Sequence, residues 1–112
     1  MNRAEIWWAD LPEAVAAEPG GRRPVLIVSD DDFNKSRIQT VVVIIFTTNL
    51  SRANAPGNLF LTREETRLTR DGVVNVSQLL TVDKKFLAEY VSTLPNQLMD
   101  LVDDGLRLSL KL

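Results

Sequence analysis

The sequence predicts a mainly β protein of the α+β class, in which short strands form a small twisted barrel and an amphipathic helix follows at the C-terminal end. Several short apolar segments are separated by polar turns that contain Gly, Pro or Asn, which is typical of small β barrels. The C-terminal segment instead spaces its apolar side chains three and four residues apart, as an amphipathic helix does.

The composition fits one globular domain over residues 1–112. Hydrophobic residues make up 45% of the chain and charged residues 25%, enough for a core of its own. Cysteine and histidine are absent, which excludes disulfides, thiol nucleophiles and histidine general bases. No apolar run approaches the roughly 20 residues of a membrane span, and no signal peptide is recognisable. We therefore expect a cytoplasmic protein.

The first predicted strand covers residues 5–9 and contains two adjacent tryptophans. Because strand side chains alternate, Trp7 and Trp8 must point to opposite faces. We expect one to enter the core and the other to serve an interface or a stacking surface. Residues 11–18 form a loop rich in small side chains.

A glycine-rich loop then leads two arginines toward the second strand, residues 25–29. Two adjacent glycines permit a tight turn, and Pro24 fixes φ as the strand begins. We expect Arg22 and Arg23 at the end of this loop, at the mouth of the β core. Two ordinary surface arginines on a solvated loop are the alternative.

The acidic run Asp30-Asp31-Asp32 predicts the start of one helical turn, because carboxylates are favoured at helix N-termini. Three adjacent aspartates also suggest a metal site. No further acid or histidine stands at ligand spacing, so we prefer the helix cap and expect neither metal nor cofactor.

Residues 40–46 are the most apolar run and predict a central strand that is buried on both faces. Three polar residues, Thr47, Thr48 and Asn49, end it. The rest of the chain predicts a strand over 58–62, a charged excursion over 63–72, two strand pieces over 73–76 and 79–82 around a bulge at Ser77-Gln78, and a last strand over 86–91.

The C-terminal helix should begin near Pro95, with Thr93 as a possible cap, and run for about four turns. Its two faces differ in polarity. The apolar face is predicted to carry Leu98, Leu101, Val102 and Leu106, and the opposite face Asp100, Asp103 and Asp104.

Charge is unevenly distributed along the chain. The net charge is −2, so any attraction to nucleic acid must come from a local patch. Residues 34–85 contain eight Lys and Arg against four acids. The alternative is that these charges form an ordinary mixed-charge surface without a role in binding.

Five motifs follow one another along nearly the whole chain. They are Ile6-Trp7-Trp8-Ala9-Asp10-Leu11-Pro12, Glu18-Pro19-Gly20-Gly21-Arg22-Arg23-Pro24-Val25-Leu26-Ile27-Val28-Ser29-Asp30, Phe33-Asn34, Val41-Val42-Val43-Ile44-Ile45-Phe46-Thr47-Thr48-Asn49 and Gln78-Leu79-Leu80-Thr81-Val82-Asp83-Lys84. In their order and spacing these motifs resemble the MazF/PemK family of toxin endoribonucleases. The resemblance implies an SH3-like barrel, the MazF/CcdB plasmid-toxin fold, and a homodimer.

The resemblance implies a catalytic arginine in the Arg-Pro motif and a catalytic threonine after the long strand, which match Arg23 and Thr47. Because the pKa of arginine exceeds 12, we assign Arg23 to charge stabilisation and leave the general base open. Glu18, the nearest acid in sequence, is a candidate base or a group that orients Arg23. The family often has Ser before this Glu and Gln after it, where this chain has Ala17 and Pro19.

Other candidates for substrate binding are the polar residues beside these motifs. Ser77 and Gln78 match the family's polar position near the groove and are candidates for base contacts. The remaining candidates are Gly21, Arg22, Thr48 and Asn49.

The implied function is a type II toxin that cleaves single-stranded RNA at specific sequences without metal, partnered by a MazE-like antitoxin with a disordered acidic tail. A same-fold toxin that inhibits DNA gyrase is one alternative, although such relatives depend on a C-terminal aromatic residue and this chain ends in Leu112. A catalytically inert RNA-binding module is the other. The sequence does not reveal the cleavage motif.

Overall fold

The computed structural model describes residues 1–12 and 21–112. The predicted loop over 11–18 therefore lies largely outside the described residues, as does Glu18. The described elements, in chain order, are β1 Glu5–Leu11, β2 Gly21–Ile27, α1 Asp31–Lys35, β3 Thr40–Thr47, β4 Leu59–Leu61, α2 Arg63–Thr66, β5 Gly72–Asp83, β6 Leu87–Thr93 and α3 Asn96–Leu110, with 3-10 turns at Leu50–Asn54 and Lys84–Phe86.

The strands form one antiparallel sheet in the order β4-β5-β3-β2-β1-β6. As predicted, β3 is central: it pairs with β2 on one side and β5 on the other, and most of its side chains are buried. The twelve-residue β5 is long enough to pair with β3 along one stretch and with both β3 and β4 along another. The sheet thus curls into a half-barrel.

The predicted bulge lies in the middle of β5 and is confirmed. Thr40 pairs with Asp83 and Ile44 with Leu79, but Phe46 pairs with Val74, so the register shifts in between. The extra residues are on β5, around the polar segment 75–78. A bulge increases bending and twist, which helps this long strand to follow the curl.

Both faces of the sheet carry an apolar cluster, because alternate residues of the inner strands point to opposite sides. One face, built on Ile44 and Phe46, packs against Met99 and Val102 of α3. The other is built on Val43 and Ile45 and is completed by the sheet's own curvature rather than by α3. Its buried members are Ala9, Leu11, Val25, Ile27, Val41, Val43, Ile45, Val82 and Leu87.

The second strand begins earlier than the sequence predicts. β2 begins at Gly21, so Arg22 and Arg23 belong to a strand and not to a loop. The reason is tertiary: β1 continues to Leu11 and supplies pairing partners, with Ala9 opposite Arg23. Gly21 has φ of +99°, which glycine adopts without strain at the point where the chain enters the strand.

Neither tryptophan is fully buried, contrary to the expectation that one enters the core. Trp7 packs against the edge of the second cluster, while its indole N–H donates to Glu5 Oε1 at 2.9 Å. Its ring also meets Tyr90 edge-on, with centroids 6.0 Å apart. The need for a polar partner keeps this ring at the border of the core.

The acidic run caps α1, as predicted. The carboxylate of Asp30 accepts the Asp32 backbone N–H at 2.9 Å. Asp31 Oδ1 accepts the Arg3 backbone N–H at 2.6 Å, which ties the N-terminus to this helix. Two of the three carboxylates therefore have structural partners.

The C-terminal helix has the predicted length but a different buried face. Met99, Val102 and Gly105 are its buried residues, whereas Leu101 is 48% exposed. Asp103, expected to face away, instead forms an ion pair with Arg3. Thr93 is not the cap, because it lies in β6 and its hydroxyl shares a hydrogen bond with Tyr90 Oη. None of the described helices is long and apolar enough to cross a membrane.

The buried face is set by a close backbone crossing between α3 and the turn before β4. A Cβ at Gly105 would overlap the carbonyl oxygen of Gly57, and a Cβ at Gly57 would lie 2.9 Å from the carbonyl oxygen of Gly105. Only two glycines allow this approach. The helix is thus held with Gly105 inward and Leu101 outward.

We predict that Gly105→Ala destabilises the fold. In an exposed helix interior this change would stabilise by about 1 kcal/mol through helix propensity. Here the clash with the Gly57 carbonyl should dominate and lower the free energy of unfolding by about 1–3 kcal/mol. Urea denaturation measures the change, with Ser109→Ala on the exposed face of the same helix as control. Greater stability in Gly105→Ala would contradict the crossing.

Candidate functional site

The candidate site lies where the sheet opens between β2 and β3. These strands pair only at Val25–Ile45, Leu26–Ile44 and Ile27–Val43. Pro24, which has no N–H for a ladder bond, stands where this pairing ends. Continuing the register would bring Arg23 opposite Thr47, but at that point β3 is paired only with β5, on its other edge.

A cavity of about 240 Å³ occupies this opening. It brings together four of the residues that the sequence nominated, namely Arg22, Arg23, Thr47 and Thr48. The remaining lining residues are Trp8, Pro24, Phe46, Leu68, Thr69, Arg70, Asp71 and Gly72. Hence two strand ends and the chain segment before β5 enclose one concave surface.

Thr47 is the last residue of β3 and is only 4% exposed. Its Oγ1 accepts the backbone N–H of Asn49 at 3.2 Å. A hydroxyl that accepts in this way still carries a proton to donate. The local turn therefore fixes a hydroxyl donor in the cavity wall.

Arg22 and Arg23 are neighbours with different surroundings. Arg23 is partly buried beside the cavity, and its planar guanidinium can donate two parallel hydrogen bonds to a phosphate. Arg22 is exposed, with Nη2 at 3.1 Å from Glu89 Oε1 and Nη1 at 3.6 Å from Asp10 Oδ1. Two carboxylates thus balance the charge of Arg22.

Several nominated residues are not among the cavity's lining. Gly21 is exposed at the start of β2, and the Asn49 side chain caps the following 3-10 turn by accepting the Ser51 backbone N–H. Ser77 donates to Asn75 Oδ1 at 2.7 Å within the bulge, and Gln78 is only 8% exposed. Glu18 lies outside the described residues.

The segment before β5 contributes a cavity wall that the sequence patterns did not predict. Arg70 and Asp71 line the cavity, and Asp71 Oδ1 accepts the Arg63 backbone N–H at 2.8 Å, which secures the segment to the start of α2. The sequence pattern predicted only a charged excursion over residues 63–72. The sequence did contain one signal for this wall, namely Arg70, an arginine just before the strand β5.

The basic segment 34–85 is divided in space. Arg70 faces the cavity described above, whereas Arg37, Lys84 and Lys85 line a second, open concavity near the first residue of β3. The strand Thr40–Thr47 separates the two groups. Among the described residues no group of three acidic, histidine or cysteine side chains could hold a metal ion.

A family comparison gives this cavity its context. The family model described as "PemK-like, MazF-like toxin of type II toxin-antitoxin system" matches residues 2–110. The chain belongs to the PemK/MazF toxin family. The resemblance seen in the five motifs is thereby confirmed.

Two curated relatives in the PemK/MazF family are endoribonucleases. Endoribonuclease MazF6 of Mycobacterium tuberculosis is 46% identical over 107 residues, which cover 96% of this chain and 94% of that protein. Endoribonuclease EndoA of Bacillus subtilis is 32% identical over 112 residues, which cover 100% of this chain and 96% of that protein.

Solved structures agree with this membership. One described as "Endoribonuclease in complex with its cognate antitoxin from Mycobacterial species" gives a TM-score of 0.82 at 25% identity, with 100% of this chain and 96% of that chain covered. MazF from Deinococcus radiodurans gives 0.79 at 21% identity, with 100% and 97% covered. The predicted PemK/MazF fold, mainly β with a C-terminal helix, is confirmed.

Proposed function

We propose that this endoribonuclease of the toxin family cleaves single-stranded RNA at specific sequences by using the RNA's own 2′-hydroxyl, without a metal ion. One observation carries the proposal: Arg23 and Thr47 line the same cavity, where the sheet opens between their strands. Two donors that converge on one concave surface suit a phosphate on which charge develops. The proposal places the protein in the cytoplasm, with its RNA substrate.

The reaction needs three events at one phosphate. The 2′-oxygen loses its proton and bonds to phosphorus, negative charge grows on the phosphorane oxygens, and the bond to the 5′-oxygen breaks as that oxygen takes up a proton. The products are a 2′,3′-cyclic phosphate and a 5′-hydroxyl. In this scheme Arg23 donates a forked pair of hydrogen bonds to the phosphorane, and the Thr47 hydroxyl donates one more.

The general base is a carboxylate in this proposal. Glu18 remains the candidate from the sequence. Asp71 joins it because it lines the cavity, although its Oδ1 already accepts the Arg63 backbone N–H. That hydrogen bond holds Asp71 at the cavity wall through one oxygen, and a carboxylate has a second oxygen that can take up a proton, so both residues stay candidates.

We predict that Arg23→Ala lowers the cleavage rate by about 10²-fold or more, because it removes a transition-state donor. Thr47→Val keeps the β-branched shape and should lower the rate with little loss of stability. Initial rates on a defined RNA, together with melting temperatures, measure both effects.

Matched controls for these variants are Arg107→Ala on α3 and Thr81→Val on an exposed position of β5, since neither residue lines the cavity. Both should cut RNA at the wild-type rate. Normal cleavage by a folded Arg23→Ala protein would remove Arg23 from the reaction.

We predict that cleavage persists in excess EDTA and that a 2′-deoxy nucleotide on the 5′ side of the cut blocks it, because the nucleophile is then missing. The intact RNA and a 2′-deoxy substitution at a distant nucleotide serve as controls. Mass spectrometry of the fragments identifies the ends. Loss of activity in EDTA, or a 5′-phosphate product, would overturn the metal-independent mechanism.

We further propose that the protein acts as a homodimer controlled by a cognate antitoxin. A related mycobacterial endoribonuclease and the Deinococcus radiodurans MazE–MazF protein have been solved as complexes with their antitoxins. The arginines at the cavity offer an acidic, disordered peptide the same charges that RNA phosphates would use. Such a tail would block the cavity and exclude the RNA from it.

We predict that an acidic antitoxin peptide competes with RNA in a salt-dependent manner and abolishes cutting. Arg23→Ala should weaken peptide binding less than catalysis, because many contacts share the peptide's affinity while few stabilise the transition state. Titrating the peptide while RNA binding and cleavage are both followed checks this. A ternary complex that still cuts RNA would rule out occlusion.

A further inference from the structure

We infer that Trp8, held in place by Arg22, is a stacking platform for the nucleobase of a nucleotide that flanks the scissile phosphate. The inference rests on the proposed function, because it assigns a base subsite to the same cavity. Trp8 lines the cavity together with Arg23 and Thr47. A base bound at Trp8 would therefore belong to a nucleotide close to the phosphate that these two residues contact.

The position of Trp8 is fixed by its own strand and by the two strands beside it. It lies in β1, paired with Pro24 of β2 on one side and with Glu89 of β6 on the other. The β1–β6 register is irregular at this point, between Trp8 and Ala9, and such irregularities re-aim a side chain. Pairing on both sides makes the backbone of Trp8 rigid. The indole is half-buried, so part of the ring remains available to a ligand.

The guanidinium of Arg22 packs over the Trp8 ring. Its guanidinium carbon lies 5.6 Å from the centroid of the Trp8 ring, within cation–π range. The same guanidinium is held by Asp10 and Glu89. Residues of β1, β2 and β6 thus form one small cluster around the indole.

This cluster also argues against a phosphate-binding role for Arg22. Each exposed ion pair is weak on its own, but two carboxylates together offset the charge that a phosphate would need. Both arginines line the cavity, but Arg23 is the better phosphate partner, because it is partly buried there whereas Arg22 is exposed and held by two carboxylates. Arg22 is accordingly a positioning residue, whose effect on RNA passes through Trp8.

The composition of the cavity wall fits a nucleotide rather than a bare phosphate. Trp8, Pro24, Phe46 and Leu68 supply apolar surface, while arginine and threonine side chains supply donors. A phosphate has no use for apolar surface, whereas the face of a base does. Stacking on an aromatic ring is how proteins commonly hold unpaired bases.

Trp7 provides the contrast within the same strand. Its indole N–H is taken by Glu5, and its ring packs against Tyr90 and the second apolar cluster. Trp7 does not line the cavity. The two adjacent tryptophans therefore have separate roles, one in packing and one in the cavity.

The test combines substrate and protein changes. Abasic nucleotides are placed one at a time on either side of the mapped cut, and kcat/KM is measured for the wild type and for Trp8→Leu. In the wild type we expect one flanking abasic site to lower kcat/KM about tenfold, the typical effect of losing one stacked base. Trp8→Leu should lose a similar factor on intact RNA, and that abasic site should then cause no further loss.

Controls keep the outcome specific. Tyr90→Leu removes an exposed aromatic residue outside the cavity and should leave the abasic profile unchanged, while Trp8→Phe should retain much of the stacking. If the abasic site lowers kcat/KM for Trp8→Leu by the same factor as for the wild type, the two losses are independent and the inference is wrong. A general structural defect would give that result, because it would act alike whichever nucleotide is abasic. Failure of the wild type to cut RNA would instead overturn the proposed function.

Arg22→Gln tests the positioning role separately. We expect KM to rise with little change in kcat, a weaker abasic effect, and no change in the salt dependence of RNA binding, because an arginine that contacts no phosphate releases no counterion from the RNA. A decrease of about 0.7 in the slope of log K against log salt would mark a direct phosphate contact and overturn this role.

Discussion

The central constraint on this protein is the point at which β2 and β3 stop pairing. β3 is hydrogen-bonded to β2 over three residues and then continues along β5 alone. Pro24, which has no N–H for a ladder bond, stands at this divergence. Without the divergence, Arg23 and Thr47 would be a closed cross-strand pair. The opening instead gives them a concave space that a phosphodiester can enter.

The opening also explains why the proposed contacts with phosphate and with base come from different residues. Arg23 and Thr47 present donors from two strand ends, which suits the phosphate and its developing charge. Trp8 and its apolar neighbours present a surface on which a base can lie. Arg22, though adjacent to Arg23, is balanced by Asp10 and Glu89 and supports the ring. In the β1–β2 register Arg22 lies opposite Asp10 and Arg23 opposite Ala9, which is why two consecutive arginines have different surroundings.

Sequence patterns predicted the elements better than their contacts. The central strand, the β5 bulge, the Asp30 cap and the length of the last helix followed from local rules, since hydrophobic runs and caps report on nearby residues. The helix face was mistaken because the Gly57–Gly105 crossing, distant in sequence, rotates α3 and leaves Leu101 exposed. Similarly, Arg22 and Arg23 joined a strand because β1 extends to Leu11 and pairs with them.

By itself the sequence determined the family and the mainly β architecture, and it nominated Arg23 and Thr47 for one site, because motif order and apolar periodicity can be read along the chain. Only the tertiary structure decided that Trp8 and Arg70 share the cavity with this pair, and that the basic segment 34–85 divides between two ends of β3. The structure also decided that Ser77 and Gln78, which lie in the predicted bulge, are not among the residues that line the cavity. The physical reason is pairing register: which side chains meet depends on where strands separate, and no local pattern records that separation.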